Sequence, residues 1–169
     1  LRMIGLNPMT DKILNKTNDS MPFSIGAHPA FALSESFDNY SLAFEFEETL
    51  KSYKLENDLL SEKTTLISMY QNQLALNYSL FENDALIFKT LQSKKITILE
   101  NGAPLLGFHF KDFKNFGIWT KVNAPFICLE PWLGYSDTST SNGNLEEKEA
   151  IQFVEAQKEF NCTFKIEML

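Results

Sequence analysis

Arginine is almost missing from this chain. Arg2 is the only one among 169 residues, so there is no guanidinium fork to clamp a phosphate at two points, although lysines could still bind one as point charges. Positive charge is scarce in general. Fifteen Lys and Arg stand against twenty-two Asp and Glu, for a net charge of −7 and a pI of about 4.9. That balance argues against nucleic acid or an anionic membrane as the partner. Histidine and cysteine are just as sparse: His28, His109, Cys128 and Cys162. Their scattered positions match no familiar zinc spacing. Both cysteines fall in apolar, strand-like runs, which predicts buried free thiols and a reducing, cytoplasmic compartment. No apolar run reaches membrane-spanning length, and no secretory leader is visible. A Gly-rich phosphate loop and a Gly-x-Ser-x-Gly elbow are also missing.

What the chain does have is phenylalanine, fifteen of them, enough for a densely packed core in one domain spanning residues 1–169. Ser41–Glu47 alternates cleanly, with Leu42, Phe44 and Phe46 opposite Glu45 and Glu47, as a half-buried strand does. Lys51–Leu55 repeats the pattern weakly and is expected to pair with it. Gln73–Leu76, Ala85–Phe88, Lys95–Leu99, Leu105–Phe110, Phe116–Thr120, Phe126–Glu130 and an alternating Phe160–Met168 read as further strands. Asn101-Gly102 predicts a hairpin turn. Glu56–Lys63 reads as a charged turn, Asn77–Asp84 as a loop, and residues 1–20 are poorly patterned, with Ile13 and Leu14 reading as the end of a strand. Asn144–Ala150, with Asn144 as cap, is the best helical candidate. About nine short strands without a long amphipathic helix predict an all-β sandwich or barrel.

Two stretches carry chemistry. In Phe126–Asp137 an apolar run leads into Glu130, and Pro131, which cannot donate to a sheet ladder, predicts that the strand stops there. Glu130 then sits at a strand end beside a cleft, where half-burial would raise its pKa and make it a better base. Alternatively it is a strand-end glutamate in water. In Met21–Phe31, Gly26 permits close backbone approach and Pro29 restricts His28 to extended geometry; a core or turn histidine is the plainer alternative. One carboxylate and one imidazole are the minimal kit for concerted proton transfer. His109 has no evident partner and reads as structural or exposed.

Gly26-Ala27-His28-Pro29-Ala30-Phe31, Leu80–Phe88 and Leu129-Glu130-Pro131-Trp132-x-Gly134-x-x-Asp137 together resemble the aldose 1-epimerase (mutarotase) family, in particular its LacX-type bacterial branch. The three segments come in the family's order, and the likeness runs from about Ile13 to the C-terminus. It implies a large antiparallel β-sandwich of the galactose mutarotase type. It also implies a hexose substrate, no metal and no organic cofactor. By the same likeness Glu130 is the general base on the anomeric hydroxyl, and His28 is the general acid toward the ring oxygen. The two should sit on opposite sides of one sugar-sized hollow. Asp84 is the implied partner of sugar hydroxyls, or else a strand-start aspartate capping a turn. Trp132 offers a face on which a sugar could stack, or else packs at the rim.

The family's N-terminal strands have no counterpart here, and the first residue is Leu. The expectation is therefore a C-terminal part of a longer sandwich, with edges left open. Two other functions stay open. An epimerase for hexose 6-phosphates would need cations at the sugar's far end, for which Lys94, Lys95 and Lys121 are candidates. A carbohydrate-binding protein without turnover is the other. Nothing in the sequence sets the oligomeric state.

Overall fold

The computed structural model describes residues 5–169. Short apolar runs broken by turn residues give fifteen strands among the described residues. They are β1 (Leu6–Leu14), β2 (Met21–Phe23), β3 (Ile25–Gly26), β4 (Ala30–Ala32), β5 (Tyr40–Phe44), β6 (Leu50–Glu56), β7 (Leu59–Ile67), β8 (Gln73–Ala75), β9 (Leu86–Phe88), β10 (Lys95–Glu100), β11 (Ala103–His109), β12 (Asn115–Trp119), β13 (Phe126–Leu133), β14 (Gln152–Val154) and β15 (Glu159–Met168). Every ladder between them is antiparallel. One six-stranded sheet has the order β1-β15-β11-β10-β5-β8. A seven-stranded sheet has the order β3-β13-β12-β9-β6-β7, with β4 also on β13, and β2 and β14 form a small ladder of their own. The expected all-β antiparallel architecture is present, with no α-helix among the described residues.

Most of the phenylalanines pack in the core between the two large sheets, although Phe46 and Phe153 are exposed. Phe108 of β11 meets Phe164 of β15 at 5.4 Å between ring centroids and Phe116 of β12 at 6.0 Å; Phe110 lies 4.2 Å from Phe116. These rings are fully or nearly fully buried, and truncating any one to Ala would cost about 3–5 kcal/mol. Because side chains alternate along a strand, the inward Phe116, Ile118, Ile127 and Leu129 leave Gly117, Trp119, Cys128 and Glu130 on the opposite face of the seven-stranded sheet.

Five expectations need correction. First, β13 does not stop at Glu130 but runs through Pro131 to Leu133. The carbonyl of Pro131 accepts from Ala27, and Leu129 N–H donates to Pro29 on the same side. The missing proline N–H therefore faces the break between β3 and β4, where no ladder bond is lost. The chain turns at Gly134, whose φ of +100° suits glycine. Second, Glu56–Lys63 is not a long turn. Asn57 and Asp58, both at positive φ, make a two-residue hairpin from β6 into a nine-residue strand, β7. Third, β5 and β6 do not pair. The connection Glu45–Thr49 lacks tight-turn residues, and the chain crosses to the other sheet, so that β5 joins β10 and β8 while β6 joins β7 and β9. Fourth, Asn144 does cap, accepting from Glu146 N–H at 3.2 Å, but only a single 3-10 turn over Leu145–Glu147 follows. Fifth, the strand expected over Ser41–Glu47 ends at Phe44, because the chain leaves the sheet there, and Phe46 is exposed. Ile13 and Leu14 do end a strand, β1, an edge strand paired along its length with β15. Its two faces are both largely exposed, so no alternation marks it. The Asn101-Gly102 hairpin stands as expected, between β10 and β11.

Candidate active site

The residues singled out in the sequence converge on one cleft. Register is the reason. Trp132 of β13 lies opposite Gly26, and Cys128 opposite Ala30. Between them His28, in the break between β3 and β4, falls opposite Glu130. The hydrogen bonds from Ala27 N–H to Pro131 O at 3.1 Å and from Leu129 N–H to Pro29 O at 3.2 Å clamp it on both sides. On the other flank Glu130 faces Gly117 of β12, Gly117 faces Ile87 of β9, and Ile87 faces Tyr53 of β6.

His28 Nε2 lies 3.1 Å from Glu130 Oε1. The imidazole is 59% exposed, the carboxylate 7%. The two groups are thus adjacent on one wall of the cleft, a cross-strand pair in contact, rather than on opposite sides of a hollow. Burial pushes the Glu130 carboxyl above the usual range; the His28 charge and the Trp132 indole N–H pull it part of the way back, and Asp84 adds to the rise. Trp119 of β12 stands edge-on to His28, ring centroids 6.0 Å apart.

The cleft has a volume of about 630 Å³ and is lined by Glu130, His28, Asp84 and Trp132 together with Trp119, Tyr135 and several small residues. That size lies in the range of small-molecule sites. Trp132 lies flat on the sheet, because the strands under it carry glycine. A Cβ on Gly117 would come within 2.6 Å of the indole, and one on Gly26 equally close. The remaining indole surface is half-buried and forms part of the cleft wall. Asp84 is the turn cap weighed for it in the sequence, and it also reaches the cleft. Its Oδ1 accepts from Ala85 N–H at 2.6 Å as a turn cap, at a φ of +88°, and the exposed residue also lines the cleft.

Sequence reasoning missed two features. Cys128, buried at 1% exposure, brings its sulfur to the His28–Glu130 pair, the three donor atoms lying within 4.8 Å of one another. Its place two residues before Glu130 on a strand was the available signal. The second is a brace behind Tyr135. Lys89 pairs with Glu149 at 2.7 Å and Glu62 at 3.2 Å, and its ammonium lies 4.6 Å from the Tyr53 ring centroid and 5.7 Å from that of Tyr135. No local pattern links those positions. His109 has a partner after all, Glu167 at 2.9 Å, which Lys95 also contacts at 2.9 Å. This group sits on the six-stranded sheet and does not line the cleft.

Comparison with known proteins agrees with the fold. No protein-family model matches the chain. It is 38% identical over 146 residues to protein LacX of Lactococcus lactis subsp. lactis, in both plasmid and chromosomal forms, covering 80% of this chain and 48% of that protein. Among solved structures, a galactose mutarotase related enzyme from Lactobacillus acidophilus superposes with a TM-score of 0.87 at 25% identity, over 97% of this chain and 57% of the other. A galactose mutarotase-like protein from Lactobacillus casei gives 0.85 at 23% identity, over 96% and 58%. The fold is that of the galactose mutarotase-like structures. By sequence the chain is a homologue of LacX, and it spans about half the length of the relatives it matches.

Proposed function

We propose that this protein is an aldose 1-epimerase, interconverting the α and β anomers of a hexose. The observation that carries the reading is the His28–Glu130 contact at 3.1 Å on the wall of the cleft. Glu130 as carboxylate takes the proton of the anomeric hydroxyl while His28 as imidazolium protonates the ring oxygen. The bond from C1 to the ring oxygen breaks, leaving the open aldehyde. After rotation about C1–C2 the ring hydroxyl attacks the other face, and both protons return. The two oxygens share one carbon, so an acid and a base side by side suit them. Trp132 offers its face to the sugar's C–H surface, and Asp84 its free acceptors to hydroxyls.

A neutral sugar is favoured over a 6-phosphate. No lysine lines the cleft among the described residues, whereas Asp58, Asp84 and Glu130 do. Lys95 is held by Glu167, and Lys94 by the Phe113 carbonyl. An acid and a base in contact also favour turnover over binding alone, since holding a neutral sugar needs neither. The chain reads as one domain-sized part of a sandwich about twice as long. Cytoplasmic residence fits the two buried, unbridged thiols Cys128 and Cys162. No helix is long and apolar enough to cross a membrane among the described residues.

The test is polarimetry on pure α-glucose or α-galactose. The rate of approach to anomeric equilibrium should rise above the buffer rate in proportion to protein, and Glu130→Gln should abolish most of the increment. Calorimetric sugar binding without acceleration would replace this reading by the binding-protein one, and competition by glucose 6-phosphate stronger than by glucose would replace it by the phosphosugar one.

A further inference from the structure

We propose that Cys128, His28 and Glu130 form a binding site for a borderline-soft divalent cation, Zn²⁺ foremost, at the wall of the cleft that His28 and Glu130 line. The proposed proton transfer leaves Cys128 without a role, yet the fold directs its sulfur at the acid and the base. Cys128 and Glu130 share one face of β13, and register sets His28 across from Glu130, so backbone pairing alone fixes the three together. All three donor atoms, Sγ, Nε2 and a carboxylate oxygen, lie within 4.8 Å of one another.

A tetrahedral zinc ion, with bonds of about 2.0–2.3 Å, holds its donors roughly 3.5 Å apart. His28 and Glu130 are 3.1 Å apart, so side-chain movements on the order of 1 Å close the triangle around an ion. His28, mostly exposed, has the freedom to make them. The donor set selects the metal. A thiolate and an imidazole favour Zn²⁺ and Co²⁺ over Mg²⁺ and Ca²⁺, which prefer all-oxygen sites. Three protein ligands leave the fourth position toward the cleft, as in an open zinc site rather than a closed structural one. Binding is balanced by loss of the thiol proton: Cys128 S–H gives up its proton to solvent as the sulfur–metal bond forms. The ion would occupy the lone pairs that proton transfer needs, so it acts as an inhibitor. That consequence rests on the epimerase reading, whereas the binding does not.

Cobalt is the probe. Chelator-stripped protein titrated with Co²⁺ should develop a thiolate-to-cobalt charge-transfer band in the near ultraviolet and the intense visible bands of four-coordinate cobalt. They should saturate at one equivalent and be displaced by Zn²⁺. Cys128→Ser should lose the charge-transfer band, while Cys162→Ser, on the other sheet, should keep it. Circular dichroism checks that each variant is folded. Should Cys128→Ser not fold, His28→Asn at its exposed position serves instead and should weaken Co²⁺ binding at least about tenfold. A titration without the charge-transfer band, or an unchanged band in folded Cys128→Ser, would overturn the proposal. Where the proposed activity is present, Zn²⁺ should suppress it in step with the band. A band in a protein that accelerates no mutarotation supports the metal site and removes the epimerase reading instead.

Discussion

Gly117 lies directly opposite Glu130 across β12 and β13, and the indole of Trp132 occupies the place its side chain would take. The bare backbone at position 117 thus lets the tryptophan lie down beside the carboxylate. Gly117→Ala places a methyl 2.6 Å from two indole carbons, which the ring can relieve only by tilting away. Overpacking of this kind costs about 1–3 kcal/mol. The expected result is a lower melting temperature, altered tryptophan fluorescence and slower mutarotation. Unchanged activity in a variant whose fluorescence has shifted would show that the indole's position does not matter to Glu130.

The acid and the base should separate stability from activity. His28→Asn removes a mostly exposed side chain, so thermal unfolding should barely move while turnover falls by about 10²–10⁴. Glu130→Gln should remove a comparable share of activity but leave the fold at least as stable at neutral pH. Its carboxyl pKa is raised in the folded state by burial, so ionising it weakens folding as pH climbs through that value, and the amide is spared this. A large loss of stability in Glu130→Gln would argue that the carboxylate is structural.

Lys89 offers a pH test away from the acid–base pair. Its ammonium is partly desolvated, but hydrogen bonds and charge from Glu149 and Glu62 outweigh that and raise its pKa. Burial works against Glu149 too, and is outweighed by bonds from Lys89 and Tyr135 that hold its pKa down. Burial, then the bond to Glu149, push the Tyr135 phenol up, with smaller contributions from Tyr53 and Glu62. The lysine's contribution is present below its ordinary value and lost as pH rises through its higher folded value. The glutamate's is present above its ordinary value and lost as pH falls through its lower folded one. Lys89→Met should therefore lower the melting temperature most between roughly pH 5 and pH 10, with the difference shrinking at both ends. Because Glu149 and Glu62 are 45% and 70% exposed, solvent screening limits the effect to about 1 kcal/mol. A difference independent of pH would mean that only the lysine's packing matters.

Much of this was legible in the residues, for stated physical reasons. The alternation holds at Leu42 and Phe44 and at Cys162 and Phe164, which are buried because that face of each strand meets the core; Phe46, beyond the end of β5, and Met168 are exposed. His28 and Glu130 stood out through their prolines. What could not be read is equally physical. β1 lies on an edge with both faces wet, so its sequence carries no period. Pro131 reads as a stop only when the neighbouring strand is continuous, and the gap at His28-Pro29 is a tertiary fact. That same register placed the His28 imidazole and the Glu130 carboxylate in contact, where sequence alone expected them to face each other across a hollow. The Lys89, Glu62, Glu149 and Tyr135 brace joins four distant positions, and only the completed sheet brings them together.

Asp84 can be resolved into its two roles by two substitutions. Asp84→Asn keeps an acceptor for Ala85 N–H and tolerates the positive φ nearly as well. It loses only charge and acceptor capacity toward the cleft. Asp84→Ala loses the cap and puts a Cβ residue without side-chain compensation at φ +88°, which costs about 1–3 kcal/mol. If Asp84 accepts from a sugar hydroxyl, both variants should raise KM, the alanine by about tenfold to a hundredfold, the worth of a hydrogen bond to a charged group. If it is a turn residue only, Asp84→Asn should match the parent in both melting temperature and KM, and Asp84→Ala should lose stability while the surviving folded protein keeps its KM. Polarimetric KM measured alongside thermal unfolding for the two variants therefore decides between a sugar contact and a cap.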